Sequence, residues 1–318
     1  IIHYNNNAEL ISSFHTTIHV NNNTGRKIHN VHHISFTNST LYLNNQEIKI
    51  THCFFFNSSV FMTGKNRFAY ILFSNSTWSG KQNTELQIHN CSFVHFSRCR
   101  FVDTENFQNP LLDLNNNINV YMNSCSFTCI IGYVIVTKRS LFVAITNISI
   151  TSVTRPESRK VKNPVLFFQT TKIVCIQLSQ FQDITSPVLK FINVENATIS
   201  DSAFVNCNCA VQNMMNISKS SAKLSVMRSK FITCSCSAYA GGSIGIRLMG
   251  KFKTFSLSNT DMMIQKFKKD VSETKLYIIG TTFENCYSET TGGAFIIWKT
   301  VTDFTMESIS STILFVIN

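Results

Sequence analysis

Cysteine has the most chemistry to offer in this chain, and its spacing is regular. Cys207-x-Cys209 and Cys234-x-Cys236 stand 27 positions apart, within a total of 11 Cys. Such pairs could hold a metal, form disulfides, or sit buried as small apolar side chains. Zinc sites favour Cys-x2–4-Cys, where the turn wraps the ion. An i, i+2 pair on a strand points both sulfurs the same way and fits a tetrahedron poorly, so no metal is expected. Disulfides and stacked free thiols both remain open. An odd number of Cys leaves at least one thiol unpaired or bonded outside the chain.

The other reactive residue types are scattered. Glycoside hydrolases need paired carboxylates, but the seven Asp (103, 113, 183, 201, 261, 270 and 303) are never adjacent. None has a partner at the repeat spacing described below. Asn259-Thr-Asp261 is similar to a galacturonase motif, yet its companion motifs are missing and no His follows His95. All nine His precede residue 96, with one cluster at His29, His32 and His33 that has no carboxylate or Cys close in sequence. These read as strand or loop histidines. Phosphate loop, nucleophile elbow and H-E-x-x-H helix are all missing. The expectation is a protein that is not an enzyme, with no catalytic residue, cofactor or metal.

What must position these residues follows from composition. The 318 residues include 33 Asn and 67 Ser plus Thr, 27 Phe, but only 10 Ala and 4 Pro. Asn and Ser compete for backbone hydrogen bonds and disfavour helix interiors. Phe, Ile, Val and Thr suit a pleated strand surface. The chain therefore reads as all-β, with ample apolar side chains to bury. The formal net charge is +11 although only 14% of residues are charged. The excess reflects few acids, so nucleic acid is not an expected partner. Arg155, Arg159, Lys160, Lys162, Lys266, Lys268 and Lys269 are the candidate contacts for an anionic partner. No apolar run reaches the ~20 residues that span a bilayer. The longest, Cys129 to Val136, reads as a buried strand. The ends, Ile1 and "STILFVIN", suggest a piece of a longer chain.

Internal repetition settles the architecture. Segments 85–99, 118–136, 197–212, 223–246 and 275–297 share alternating apolar residues, a Phe, a polar turn, then more apolar residues. Weaker copies lie at 30–43, 47–62 and 171–192. Phe181, Phe204 and Phe231 are 23 and 27 apart, and Phe283 lies 52 further on, about two units. A unit of this length cannot bury its own apolar face and must stack on its neighbours. The expected fold is a right-handed single-stranded parallel β-helix, a solenoid of about a dozen coils over 1–318. It should carry an interior Phe ladder, Asn ladders at the turns, and protruding loops near 154–164 and 259–275. An antiparallel sandwich would have no reason to keep the Phe-then-turn order.

"FENCYSETTGGAF" (283–295) and "FITCSCSAYAGGSI" (231–244) resemble the Phe-x-x-Asn and Gly-Gly-Ala-Ile repeats of polymorphic outer-membrane-type proteins. That group has the pectin-lyase-like β-helix. Here Asn285 follows Phe283 at two residues rather than three. The resemblance implies an extracellular or cell-surface scaffold for adhesion or assembly. Its partner would be a protein or glycan at a surface, or further copies through lateral self-assembly. Two alternatives stand beside it: a polysaccharide lyase-like enzyme, and a structural part of a larger filament or intracellular assembly. Candidate N-glycosylation sites are Asn22, Asn38, Asn57, Asn75, Asn90, Asn147, Asn196 and Asn216, a number that composition alone would produce.

Overall fold

Every strand pairing in the computed structural model is parallel, and every paired strand belongs to a different coil. The structure describes residues 2–4, 12–14, 17–21, 29–44, 47–64, 69–81, 84–106, 109–154, 164–207, 211–216, 222–236, 244–249, 274–288, 295–298, 303–307 and 310–311. These residues contain no helix, and none therefore long and apolar enough to cross a membrane.

The chain winds through three sheets in turn. Ser35–Thr37 belongs to sheet one, Thr40–Asn44 to sheet two and Glu47–Thr51 to sheet three; Phe54–Phe56 then returns to sheet one directly above Ser35–Thr37. Repetition of this circuit stacks 12, 12 and 11 strands in sheets one, two and three. The result is the right-handed parallel β-solenoid that the repeats imply.

The core is a set of columns, because an inward side chain on one coil sits over its register partner on the next. In sheet one the column runs Phe36, Phe55, Trp78, Phe101, Phe127, Ile150, Phe181, Phe204, Phe231 and Phe283. All ten are buried. Neighbouring rings stack face to face, at 4.8 Å for Phe36 on Phe55 and 4.7 Å for Phe204 on Phe231. The other two sheets carry mainly aliphatic columns, such as Ile48, Ile71, Val94, Val120 and Val143 in sheet three, with stacked ring pairs at Phe73–Phe96 and Phe168–Phe191.

Each corner is turned by one residue in the left-handed region. Between sheets three and one the series includes His52, Asn75, Arg98, Ser124, Asn147, Leu178, Asp201 and Arg228, with φ between 46° and 59° across all described non-glycine positions. Asn and Asp visit this region readily, whereas Arg and Leu have no local reason to. The next residue turns inward: Cys53, Ser76, Cys99, Cys125, Ile148, Ser179, Ser202 and Ser229 are buried. Their hydroxyls satisfy corner amides of the coil below. Ser76 Oγ accepts from Cys53 N at 3.1 Å, and Ser202 Oγ accepts from Ser179 N at 3.2 Å.

Two expectations change here. Phe231 and Phe283 are direct register partners with rings 5.1 Å apart, so their 52-residue separation is one coil carrying an insertion, not two units. The insertion lies between Ile244–Met249 and Thr274–Ile279, and its residues 250–273 are outside the described set. Thr274 and Lys275 belong to strand rather than loop. Likewise Thr154 ends a strand and Pro164 is buried, while 155–163 lie outside the described residues. The apolar run Cys129 to Val136 is not one strand: it closes Ser126–Gly132, turns at Tyr133, and opens Ile135–Lys138.

Replacing Phe204 by Ala would leave Phe181 and Phe231 facing a void. Such large-to-small core changes cost ~3–5 kcal/mol. The expected outcome is a loss of that size in urea unfolding, with Phe54→Ala, on the exposed outer face of sheet one, changing little.

Candidate functional site

Most outward positions of the solenoid hold Ser, Thr, Asn or Gln, so clusters of titratable groups stand out. Strand Leu86–His89 in sheet two pairs with Leu112–Asn115 one coil on, and the register sets Gln87 beside Asp113. Alternation turns Leu86, Ile88, Leu112 and Leu114 inward. It therefore turns Glu85, Gln87 and His89 outward, next to Asp113 and Asn115.

These side chains form a continuous polar strip. His89 Nε2 lies 3.4 Å from Asp113 Oδ2, and the two side chains keep only 29% and 21% of their exposure. Asn109 Nδ2 donates to Glu85 Oε2 at 3.0 Å. At the corner, Asn116 Nδ2 donates to Asn90 Oδ1 at 2.6 Å. Asp113 Oδ1 and Asn115 Oδ1 are covered yet accept no hydrogen bond, and His89 Nε2 is covered with only the longer ion-pair contact. Covered acceptors without donors are costly.

Sheet three carries a second unusual strip. Tyr70 stacks on Phe93 at 4.8 Å, Phe93 packs on Tyr121 at 4.9 Å, and Tyr121 on Phe142 at 5.6 Å, all on the outward face. His95 meets Phe93 and Tyr121 edge-on. Burial pushes the His95 imidazole below its usual range, favouring the neutral ring.

The sequence-derived site residues fall elsewhere. Cys207 and Cys234 do stack on successive coils, each three residues beyond its Phe, and Cys286 continues the column. They are buried, with Cys207 Sγ donating to Phe181 O, Cys234 Sγ to Phe204 O and Cys286 Sγ to Phe231 O, each at 3.4 Å. The nine described cysteines are free thiols, Cys207 and Cys234 among them. Cys209 and the Cys236 side chain lie outside the described residues. Among the described residues no group of three His, Cys, Asp or Glu could hold a metal ion. His33 does stack on His52 at 5.0 Å, with His32 edge-on at 5.7 Å. Near-parallel rings aim their nitrogens side by side rather than at one point.

Arg155, Arg159, Lys160, Lys162, Lys266, Lys268 and Lys269 all lie outside the described residues, as does Asn22. Asn38, Asn75, Asn90 and Asn147 are exposed corner residues with positive φ, and Asn196 is exposed on a strand. Asn57 is less accessible, because Gly80 of the next coil closes over it: a Cβ there would collide with the Asn57 side chain. Asn216 ends strand Val211–Asn216, and its side chain is not described.

No family model and no curated protein matches the chain. Solved structures do match. The periplasmic alginate epimerase AlgG is 9% identical with a TM-score of 0.37, covering 93% of this chain and 76% of that one. Bacteriophage CBA120 tailspike protein 3 is 9% identical with a TM-score of 0.27, covering 94% of this chain and 57% of the tailspike. At this identity the likeness concerns the fold, and the particular repeat type of the outer-membrane-type proteins finds no support in it. It also corrects the expectation of a non-enzyme. One of the matched structures is an epimerase.

The sulfur columns make a direct prediction. Burial pushes the Cys91 thiol up to about 12 and the Cys53 thiol up to about 11; Cys234 is pushed up to about 12, first by its hydrogen bond with Cys207. The reactive thiolate is thus suppressed at pH 8. Under native alkylation at that pH, exposed Cys129 should label first, with Cys53, Cys91 and Cys234 labelled only after unfolding, as read by peptide mass mapping. Because these folded values exceed the unfolded one, the neutral thiols stabilise the fold below about pH 9. That stability should fall as pH rises towards 12.

Proposed function

We propose that the protein is a carbohydrate-active β-solenoid that meets a polysaccharide outside the cytosol, with the Glu85–His89–Asp113 strip as its reactive site. The observation that carries this reading is the part-exposed His89–Asp113 pair, 3.4 Å apart on an outer sheet face, with the carboxylate of Glu85 outward on the same stretch of chain. An imidazole paired with a carboxylate on an outer face is suited to moving a proton to or from a sugar. The ligand would be a linear chain, because the strip lies on an open outer face that repeats along the solenoid axis.

Within this reading His89 is the general base. Asp113, 3.4 Å from Nε2, orients the ring and stabilises the imidazolium once the ring has taken a proton from the sugar or from water. Glu85, held by Asn109, and Gln87 orient the sugar. Retention of a glycan at a surface, as in adhesion, uses the same contacts and is the second reading, supported by the long repeating outer face.

The test is turnover on a panel of neutral and acidic polysaccharides, followed by new reducing ends, unsaturated products and changes in proton NMR. A general base contributes typically 10²–10⁴-fold. His89→Gln and Asp113→Asn should therefore lower any rate by about that factor with circular dichroism unchanged. A rate insensitive to both substitutions, or no change in any polysaccharide, would sink the catalytic reading.

A further inference from the structure

The outer face of sheet three differs from the rest of this basic molecule. Strands Tyr70–Ser74, Phe93–Ser97, Asn119–Asn123, Phe142–Thr146, Ile173–Gln177 and Asn196–Ser200 contain no Asp, Glu, Lys or Arg, in a chain of net charge +11. Charge returns at the boundaries, with Glu47 and Lys49 below and Lys223 above. At ~4.8 Å per coil the uncharged stretch runs on the order of 25 Å along the axis.

Its outward columns are sorted by chemistry. The column nearest the following corner reads Ser74, Ser97, Asn123, Thr146 and Gln177, all hydroxyl or amide. The aromatic rings occupy the other two columns. The ladder opens as it rises: Tyr70 and Phe93 are 8° from parallel, Phe93 and Tyr121 31°, Tyr121 and Phe142 45°. Closely stacked rings shield each other's faces. The widening angles at Tyr121 and Phe142 break the close stacking there, beside a row of hydrogen-bonding groups that repeats at the coil spacing.

We propose that this face binds an uncharged polysaccharide laid along the solenoid axis. The apolar faces of its sugars rest on Tyr121 and Phe142, and its hydroxyls bond to the Ser, Asn, Thr and Gln column. Absence of charge on the strands themselves is the complementarity that selects the ligand, with the bordering charges Arg98, Lys172, Glu195 and Asp201 confined to the corners. The inference extends the carbohydrate reading to a different face and names its ligand class, without using the sheet-two chemistry.

Binding of soluble neutral oligosaccharides (glucan, xylan and mannan fragments) by titration calorimetry, with oligogalacturonate as the acidic comparison, tests it. Neutral chains should bind at least one member tightly enough to measure, and Tyr121→Ala or Phe142→Ala should weaken it tenfold or more. Tyr121→Phe should retain binding, and so should Phe54→Ala on the outer face of sheet one; the readout needs no turnover, which separates this face from the sheet-two site. Preference for the acidic chain, or binding unchanged in both alanine variants, would overturn the proposal. Sedimentation showing a dimer that Tyr121→Ala dissociates would overturn it too, assigning the face to self-association.

Discussion

In-register parallel stacking is the constraint on which everything else here depends. Once each strand lies over its counterpart one coil below, a residue type becomes a column rather than a point. Buried rings become a ladder, corner hydroxyls become a chain of amide acceptors, and outward side chains become strips. Backbone hydrogen bonds supply the repeat, but they do not choose among registers, because a slip by one residue pairs the backbone equally well. The inward columns make the choice, since such a slip would turn Phe204 outward and Val205 inward. The same rule creates both candidate surfaces: Asp113 meets His89 and Tyr121 meets Phe142 only because the core fixes the register beneath them.

The interior was legible to the extent that its residues repeat at near-constant spacing. Phe181, Phe204 and Phe231 announce the ladder in the bare sequence. Phe283 does too, but its distance was misread because an insertion and an additional coil look alike as a number of residues. The corners were less legible. A left-handed residue announces itself when it is Asn or Gly, whereas Arg98, Leu178 and Thr233 hold the same geometry without local preference for it. Stacking on both sides imposes that conformation, and no single-coil signal encodes it.

The candidate site was missed for a related reason. In the bare sequence Asp113 has no adjacent Asp and no partner evident at the repeat spacing. Its neighbours are Glu85 and His89, one coil earlier, and the coil length there is known only after Leu86 is matched to Leu112. Cys207 and Cys234 illustrate the reverse case. Their one-coil spacing was visible and they do stack, but they occupy the inward column that follows the Phe, where aliphatic Ile130, Val153 and Ile184 stand on lower coils. Company of that kind marks them as small apolar fillers.

The corner geometry has a bearing on how such a molecule comes into being. Thr170, Leu178, Arg228 and Thr233 would not hold a left-handed conformation in an isolated segment, because nothing within one coil compensates the steric cost. Each such turn is stable only against a finished neighbour that already presents the matching carbonyls, as Ser200 O does for the amide of Leu178 and Ile279 O for that of Arg228. A completed coil is therefore a template for the next. Growth from an existing end is favoured over independent starts, and because these carbonyls come from the following coil, each such corner takes its shape from the neighbour on its C-terminal side.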